Sequence, residues 1–269
     1  MKSILEGMVI DYKAPDFILE TNYLTVMGSK LYKTNLEDSD NDFLGFVIPP
    51  MEYINPLKKN IIPGYGDNPY IFSQIQNHHI IHNDNEYDIT IYNFSVYMNL
   101  LTNGNPNIID SMFSTADNKL IHDEVSDLVY KNRSLFLSKQ VISKLKGYAN
   151  SQLQKAKFER TTSNPKRSKL ISKYGYDTKY ASHVVRLISQ AEDLIKYNDI
   201  LLDKNAEIIL EVKTGKWDLQ DVEDFLESKI SLVDNLKDKS SLPENPDTDK
   251  IKELMFKCFE MKYGKDIRE

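Results

Sequence analysis

Residues 22–50, NYLTVMGSKLYKTNLEDSDNDFLGFVIPP, contain the pattern that decides the fold. The first part is apolar and β-prone up to Gly28 and Ser29, which predicts a strand that ends in a turn. Residues 30–41 are polar and typical of a turn, and residues 42–50 are apolar again. The stretch therefore predicts a strand, a turn and a second strand.

Three aspartates in this region and the next are candidates for binding a metal ion. Asp40 and Asp42 are two residues apart, so in an extended chain both carboxylates lie on one face. Two like charges at this spacing repel unless a cation neutralises them. Asp88 lies in a later predicted strand, residues 86–93, where a buried carboxylate is costly without a partner or a metal. If the two strands are neighbours, the carboxylates converge and can bind Mg²⁺ (or Mn²⁺) through oxygen.

Gly28 and Ser29 are the candidates for contact with a phosphate. Glycine lets the backbone approach a ligand closely, and the serine hydroxyl and the following amides can donate to phosphate. Alone, a Gly-Ser pair after a strand is an ordinary turn in most proteins, and an Asp-x-Asp pair is most often a solvated loop. The order strand, Gly-Ser, turn, Asp-x-Asp, strand and later strand aspartate is far more specific, and it indicates metal-assisted nucleotide transfer.

The remaining sequence predicts an α+β protein with two domains. Residues 1–122 are predicted to form the catalytic domain, a mixed sheet with helices, and residues 123–269 a helical domain. The first domain has a further predicted strand near residues 70–81 and two helices, which Asn93 and Asn105 are expected to cap.

The helical domain is predicted to contain three long amphipathic helices and a final shorter one. A strand pair is expected between the second and third helices, and a loop at residues 161–165 separates the first two. The predicted bounds are Asp123–Arg160, Asp177–Tyr197 and Asp218–Leu236 for the long helices, Glu207–Val212 and a segment before Trp217 for the strand pair, and Lys250–Tyr263 for the last helix.

Composition describes a folded protein, with 41% hydrophobic residues and a net charge of −6. The negative charge argues against a basic surface coat, yet residues 131–179 are dominated by basic side chains, so a phosphate-rich ligand fits that segment.

The single cysteine, Cys258, excludes an internal disulfide and fits a reducing compartment. Acidic Glu6 and Asp11 argue against a signal peptide, and the sequence lacks the run of about 18 apolar residues typical of a membrane span. We therefore expect a cytoplasmic protein, in the host cytoplasm if the gene is viral.

With these motifs the chain resembles the RNA repair pathway polymerase β family (RlaP), predicted nucleotidyltransferases of the DNA polymerase β superfamily that include phage-encoded members. The first matching stretch resembles the family's Gly-Ser, Tyr-Gly-Thr and Ser-Asp-x-Asp pattern. The matching stretches are MGSKLYKTNLEDSDNDFLGFVIPP (27–50), DITIYNFSVYMNLLTNGNPNIIDSMF (88–113), GYANSQLQK (147–155) and GYDTKYASHVVRLI (175–188).

The resemblance implies a polymerase-β-like sheet in the N-terminal part and a role for each motif residue. It implies that Ser29 contacts the triphosphate, that Asp40 and Asp42 bind metal, and that Asp88 is the third carboxylate. Lys33 departs from the pattern, because a glycine is usual after the tyrosine. A lysine at this position can still contact phosphate.

The predicted helix at residues 177–197 carries a second candidate site. Lys179, His183, Arg186 and Gln190 lie on one stripe of this helix. The stripe combines a cation, a titratable imidazole and a fork-shaped phosphate ligand. Because this stretch also resembles the family, we expect it to contact substrate or phosphate, and a solvated polar face is the alternative.

Two further groups have open interpretations. Tyr148, Gln152 and Lys155 share one face of the first long helix, and either form the floor of the nucleotide site or belong to the plain surface. Three histidines in and just after the predicted strand near residues 70–81 raise the question of zinc, but no cysteine or third well-placed ligand is near, so a surface or lid role is favoured. These histidines are His78, His79 and His82.

Three functions remain open from the sequence. The first is transfer of a nucleoside monophosphate from an NTP to an acceptor hydroxyl, with RNA or tRNA ends favoured because residues 144–173 are basic. The second keeps this chemistry but has a protein side chain or small molecule as acceptor, as in toxin-like relatives. The third is a non-catalytic nucleotide-binding or partner-binding module, against which the three aspartates argue. The sequence determines neither the base preference nor the oligomeric state.

Overall fold

The structure is a computed structural model that describes residues 1–37, 39–53, 72–158 and 164–264. The chain folds as two compact units. The first contains Met1–Leu31, Asn35–Phe136 and Asp247–Glu269, and the second contains Tyr32–Thr34 and Leu137–Pro246.

Five strands form one mixed sheet in the first unit. In chain order they are β1 (Tyr23–Val26), β2 (Asn41–Val47), β3 (Gln74–His82), β4 (Asn85–Asn93) and β5 (Lys119–His122). Their order in space is β3-β4-β2-β1-β5. β1 is antiparallel to β2 and β5, β3 is antiparallel to β4, and β2 runs parallel to β4. The strand, turn, strand prediction and the prediction of a strand at residues 86–93 are confirmed.

Eleven α-helices lie in the described part of the chain. They are α1 (Lys2–Tyr12), α2 (Gly28–Leu31), α3 (Phe94–Thr102), α4 (Pro106–Met112), α5 (Glu124–Lys131), α6 (Lys139–Phe158), α7 (Pro165–Tyr174), α8 (Thr178–Tyr197), α9 (Ala206–Lys213), α10 (Leu219–Lys237) and α11 (Thr248–Tyr263). The fold class is therefore α+β, as predicted. Among these helices, none combines the length and the hydropathy of a membrane span.

Both faces of the sheet are covered, and β2 and β4 each have a neighbouring strand on both sides. On one face, Leu5 and Met8 of α1 pack with Ile89 and Ile91 of β4 in an apolar core. On the other face, a cluster of aromatic rings is centred on Phe46 of β2. Its ring stacks on Tyr23 with centroids 5.6 Å apart and contacts Tyr97 of α3 at 4.8 Å.

Local capping explains where the helices of the first unit begin. The Asn93 side chain accepts from the Ser95 amide at the start of α3, and Asn105 accepts from the Asn107 amide at the start of α4. Both caps were predicted. Pro106 occupies the first turn of α4, where its missing amide hydrogen costs little.

The second unit is a helical assembly around α8, which packs against α6, α9 and α10. Asp177 caps α8 by accepting from the Lys179 amide, and Asp218 caps α10 by accepting from the Asp221 amide. The predicted helices at 177–197 and 218–236 are therefore confirmed, and Asp177 is a helix cap as expected.

Two predictions for the helical part are wrong. The first predicted long helix, Asp123–Arg160, is two helices, because α5 ends at Lys131 and a short 3-10 turn at Arg133–Phe136 precedes α6. The predicted strand Glu207–Val212 is α9, in which Ile209 and Val212 are buried three residues apart, a helical period.

The loop predicted at residues 161–165 lies mostly outside the described residues, which resume at Asn164. Asn164 accepts from the Arg167 amide and caps α7, a helix that the sequence analysis did not predict. The predicted last helix is confirmed as α11, in which Cys258 is fully buried.

Candidate active site

Asp42 and Asp88 lie side by side near the point at which β2 and β4 begin to pair. In the β2–β4 register, Asp42 is the partner of Asp88. Paired residues on neighbouring strands point to the same face, and the strands are about 4.8 Å apart. Both side chains are partly exposed. Two ionised carboxylates so placed repel each other unless a cation lies nearby, and their oxygens are ligands that Mg²⁺ prefers.

Gly28 follows the end of β1 and lies against the Asp42 side chain. A Cβ atom added at Gly28 would lie 2.0 Å from Asp42 Oδ2, and the backbone φ of +62° is in the left-handed region. The Met27 amide also donates to the Asp42 carbonyl at 2.7 Å. The sequence predicted that Gly28 allows close approach to a ligand. The structure shows that its missing side chain leaves room for the Asp42 carboxylate.

Ser29 and Asp40 lie between Gly28 and Asp42 along the chain. Ser29 is the second residue of α2, directly after Gly28, and is partly exposed. Asp40 is exposed and immediately precedes β2. Its charge is the smallest of the causes that raise the pKa of His79.

A β-bulge places two histidines opposite Asp88. In the β3–β4 pairing, Asn77 is the partner of Ile89 and Ile80 the partner of Tyr87, so His78 and His79 together oppose one residue. Bulges of this kind redirect side chains and are over-represented next to active sites. The tight turn Asn83-Asp84, with positive φ at both residues, closes the hairpin.

Both histidines of the bulge contact the Asp88 carboxylate. The His79 amide donates to Asp88 Oδ1 at 2.9 Å, and His78 Nδ1 lies 3.2 Å from Asp88 Oδ2. The His79 imidazole contacts Glu86. This hydrogen bond is the largest cause that raises the pKa of His79, and the charges of Glu86 and Asp88 raise it further.

The sequence analysis missed Glu86 and assigned the histidines a surface or lid role. The sequence did contain a signal for this pairing: a tight turn at Asn83-Asp84 places the histidines before it opposite the acids after it, Glu86 among them. The bulge was not predictable from the same pattern, and only the bulge sets both His78 and His79 against Asp88.

Lys33 lies in the second unit, where it forms an ion pair with Asp203. The hydrogen bond from Lys33 is the main cause that lowers the pKa of Asp203. The backbone of Lys33 has φ +54°, in the left-handed region that favours glycine. The structure thus accounts for the glycine that is usual at this position in the family the chain resembles.

The stripe on α8 is exposed at Lys179, partly exposed at His183 and buried at Arg186 and Gln190. Arg186 is 7% exposed and Gln190 is 2% exposed. Arg186 Nη1 donates to the Tyr32 hydroxyl at 2.9 Å and to Gln190 Oε1 at 3.2 Å, and the guanidinium lies over the Tyr32 ring at 4.3 Å. The segment Tyr32–Thr34 is thereby attached to the helical unit, and Lys213 Nζ donates to the Thr34 carbonyl at 2.8 Å.

His183, one turn before Arg186, is neutral at physiological pH. Its removal from water is the largest cause that lowers its pKa, to about 3. The cations around it lower the pKa further: Arg186, Lys179, Lys213 and Arg167. This concentration of positive charge is compatible with an anionic ligand.

The predicted basic segment, residues 131–179, is partly neutralised inside the second unit. Lys146 pairs with Asp234, Lys157 lies 2.8 Å from Glu223, and Arg167 lies 2.6 Å from the buried carboxylate of Asp177. Tyr148 and several lysines of the segment are exposed to solvent: Lys144, Lys169, Lys173 and Lys179.

One family model matches most of the chain. A family model described as RlaP, RNA repair pathway DNA polymerase beta family, matches residues 16–256. A nucleotidyltransferase-like protein from Exiguobacterium sibiricum 255-15, solved by crystallography, is similar at 12% identity, over 88% of this chain and 78% of that chain, with a TM-score of 0.32. The curated proteins contain no significant match.

Proposed function

The chain belongs to the RNA repair pathway DNA polymerase beta family (RlaP), and from this premise we propose that it transfers a nucleoside monophosphate from an NTP to an acceptor hydroxyl. In this reaction the acceptor oxygen forms a bond to the α-phosphorus while the bond from that phosphorus to the pyrophosphate oxygen breaks. The hydroxyl proton leaves with a base or with water. The proposal includes residues 1–122 as the catalytic domain and residues 123–269 as the helical domain.

The observation that carries the proposal is the pairing of Asp42 with Asp88 beside Gly28. Two partly exposed carboxylates in register are costly without a cation, and Gly28 leaves the space that the Asp42 carboxylate occupies. An arrangement of this kind fits a divalent ion with oxygen ligands.

Asp40, Asp42 and Asp88 are the residues proposed to hold Mg²⁺ (or Mn²⁺). When bound, such ions stabilise the charge on the attacking and leaving oxygens. Gly28 and Ser29 follow the end of β1 next to Asp42. In the proposal their backbone amides and the Ser29 hydroxyl orient the triphosphate.

RNA or tRNA is the proposed acceptor. Exposed lysines of the second unit, among them Lys144, Lys169 and Lys173, supply the sequence-independent attraction that phosphate backbones require. The further phosphate or nucleotide contacts in the proposal come from Lys33, Tyr148, Lys179, His183 and Arg186. Arg186 is also proposed to position Tyr32, because its guanidinium donates a hydrogen bond to the Tyr32 hydroxyl.

The location proposed is the cytoplasm, or the host cytoplasm for a phage-encoded member. The support is the single, fully buried Cys258, for which burial raises the pKa to about 12 and keeps the thiol protonated. A chain with one such cysteine forms no internal disulfide and therefore does not depend on an oxidising compartment for its folding.

Labelled NTPs test the proposal directly. Each of the four, labelled at the α-phosphate, is incubated with the protein and Mg²⁺ and with bulk RNA, tRNA and protein acceptors side by side. We expect label in the RNA or tRNA. Label in protein instead supports the toxin-like alternative, and absence of any transfer supports the non-catalytic binding module.

The matched variants are Asp40→Asn with Asp42→Asn, and Asp84→Asn as the control. Asp84 is an exposed acid of the β3–β4 turn, with φ +59°, which asparagine adopts readily. Transfer should be abolished in the double variant and retained in the control. Full activity in the double variant would rule out both catalytic versions.

A further inference from the structure

The β3–β4 hairpin assembles a ligand set of one imidazole and two carboxylates. The side chains of His79, Glu86 and Asp88 each offer one ligand atom, and these atoms all lie within 4.8 Å of one another. Two ligands bound to one metal at about 2.1 Å are themselves about 3–4 Å apart. Small rotations of exposed side chains are therefore enough to close this set around one ion.

These three residues are brought together by the pairing of their strands and by the bulge in β3, not by nearness in the sequence. They come from two adjacent antiparallel strands, and the bulge in β3 turns His79 toward the strand that carries both acids. In the described residues, no other group of three or more His, Cys, Asp or Glu side chains meets this distance condition. His82, three residues along β3, instead contacts the Ser3 hydroxyl at 3.1 Å.

We infer that His79, Glu86 and Asp88 form a binding site for a divalent transition-metal ion, of which Zn²⁺ is the best match. Imidazole nitrogen is a ligand for zinc and its neighbours in the first transition row, whereas Mg²⁺ prefers oxygen alone. Three protein ligands leave a further position for water, as in an open zinc site. His78 contacts the second oxygen of Asp88 and orients that carboxylate.

This site overlaps the proposed Mg²⁺ site at Asp88, and its other two ligands, His79 and Glu86, are not part of that site. Asp40 and Asp42 supply no ligand to it, and it needs no nucleotide. Binding of a transition metal is therefore measurable whether or not the chain transfers nucleotides, and the two proposals can fail independently.

Co²⁺ is the spectroscopic probe, because its visible absorption responds to nitrogen ligation and to coordination number. Titration of the full-length protein with Co²⁺, without nucleotide, should show one equivalent bound with a spectrum distinct from that of the aqueous ion. Zn²⁺ should displace it, and a large excess of Mg²⁺ should not.

Four variants identify the ligands. His79→Gln and Glu86→Gln should each weaken Co²⁺ binding by about tenfold or more, and His79→Gln should also change the spectrum. His82→Gln, on the same strand, should bind as the wild type does. Asp42→Asn should keep the Co²⁺ spectrum while it loses any nucleotide transfer.

The mutated side chains are exposed or partly exposed, so circular dichroism and thermal unfolding should show that all four variants fold. A wild-type spectrum identical to that of aqueous Co²⁺ would overturn the inference, as would an unchanged spectrum and affinity in His79→Gln.

Discussion

Asp42 Oδ2 lies 2.0 Å from the position that a Cβ atom at Gly28 would occupy. Any other residue at position 28 must displace this carboxylate, and must also adopt a left-handed backbone at φ +62°. The missing side chain of Gly28 thus makes room for the Asp42 carboxylate, in addition to allowing the left-handed turn.

Gly28→Ala should lower nucleotide transfer by about 100-fold, because a carboxylate displaced by about 1 Å misaligns the reacting groups. The backbone strain should reduce the free energy of unfolding by about 1–2 kcal/mol. Steady-state kinetics and urea unfolding measure the two effects. Gly147→Ala in α6 is the matched control: apart from its chain neighbours and the backbone of its own helix, no atom of the described residues lies within 4 Å of its added Cβ, and stability should rise by about 0.5–1 kcal/mol. Equal activity in the two variants would contradict the role assigned to Gly28.

Mg²⁺ and NTP together should raise the melting temperature of the wild type, since a ligand that binds only the folded state stabilises it. At a ligand concentration of 100 times Kd the gain is about 2.7 kcal/mol. Asp88→Asn should lose the gain, because one of the paired carboxylates is gone. Asp84→Asn, in the nearby turn, should keep it. A full ligand-induced shift in Asp88→Asn, measured by differential scanning fluorimetry, would remove Asp88 from the nucleotide site.

Lys33→Val should be less stable than Lys33→Gly by about 1–2 kcal/mol, because the position has φ +54° and a β-branched residue is strained there. Both variants remove the ion pair with Asp203, so the difference between them isolates the backbone effect. Urea unfolding of the two variants in parallel gives this difference. Equal stabilities would show that the left-handed backbone at position 33 relaxes without cost.

His183 should make the fold less stable as pH falls from about 6.5 toward 3. Its folded pKa is lowered to about 3 by burial and by nearby cations, whereas an unfolded histidine titrates near 6.5. The unfolded chain therefore binds more protons in this window, and stability is fully present only above it.

The comparison is urea unfolding at pH 7.5 and 5.5, for the wild type and for the neutral variant His183→Gln. The loss between the two pH values should be larger in the wild type by on the order of 1 kcal/mol, since pH 5.5 is about one unit below the unfolded pKa. Other titrating groups are common to both proteins. The same pH dependence in both would show that His183 becomes protonated in the folded state.

Local features of the fold were accessible from the sequence. The alternation at residues 86–93 predicted β4, and side-chain caps such as Asn93 and Asp177 predicted the starts of α3 and α8. These features depend on a few neighbouring residues, so propensity and periodicity capture them. The failure at Glu207–Val212 has the same origin, because a short apolar run fits either a strand or a buried helix.

Other features required contacts between distant residues. The sequence proposed that Asp42 and Asp88 converge if their strands are neighbours, but it did not establish that they are. Arg186 was expected on a polar stripe, and its burial against Tyr32 depends on how residues 32–34 join the helical unit.

The sequence by itself determined the order of strand, Gly-Ser turn, Asp-x-Asp and strand, the capped helices, and the three aspartates as candidates for metal binding. Only the tertiary structure decided that Asp42 is the partner of Asp88, that Gly28 leaves space for the Asp42 carboxylate, and that a bulge brings His79 to Asp88. The physical reason is that periodicity and capping are local, whereas strand pairing and register depend on which apolar surfaces are buried together across the whole chain.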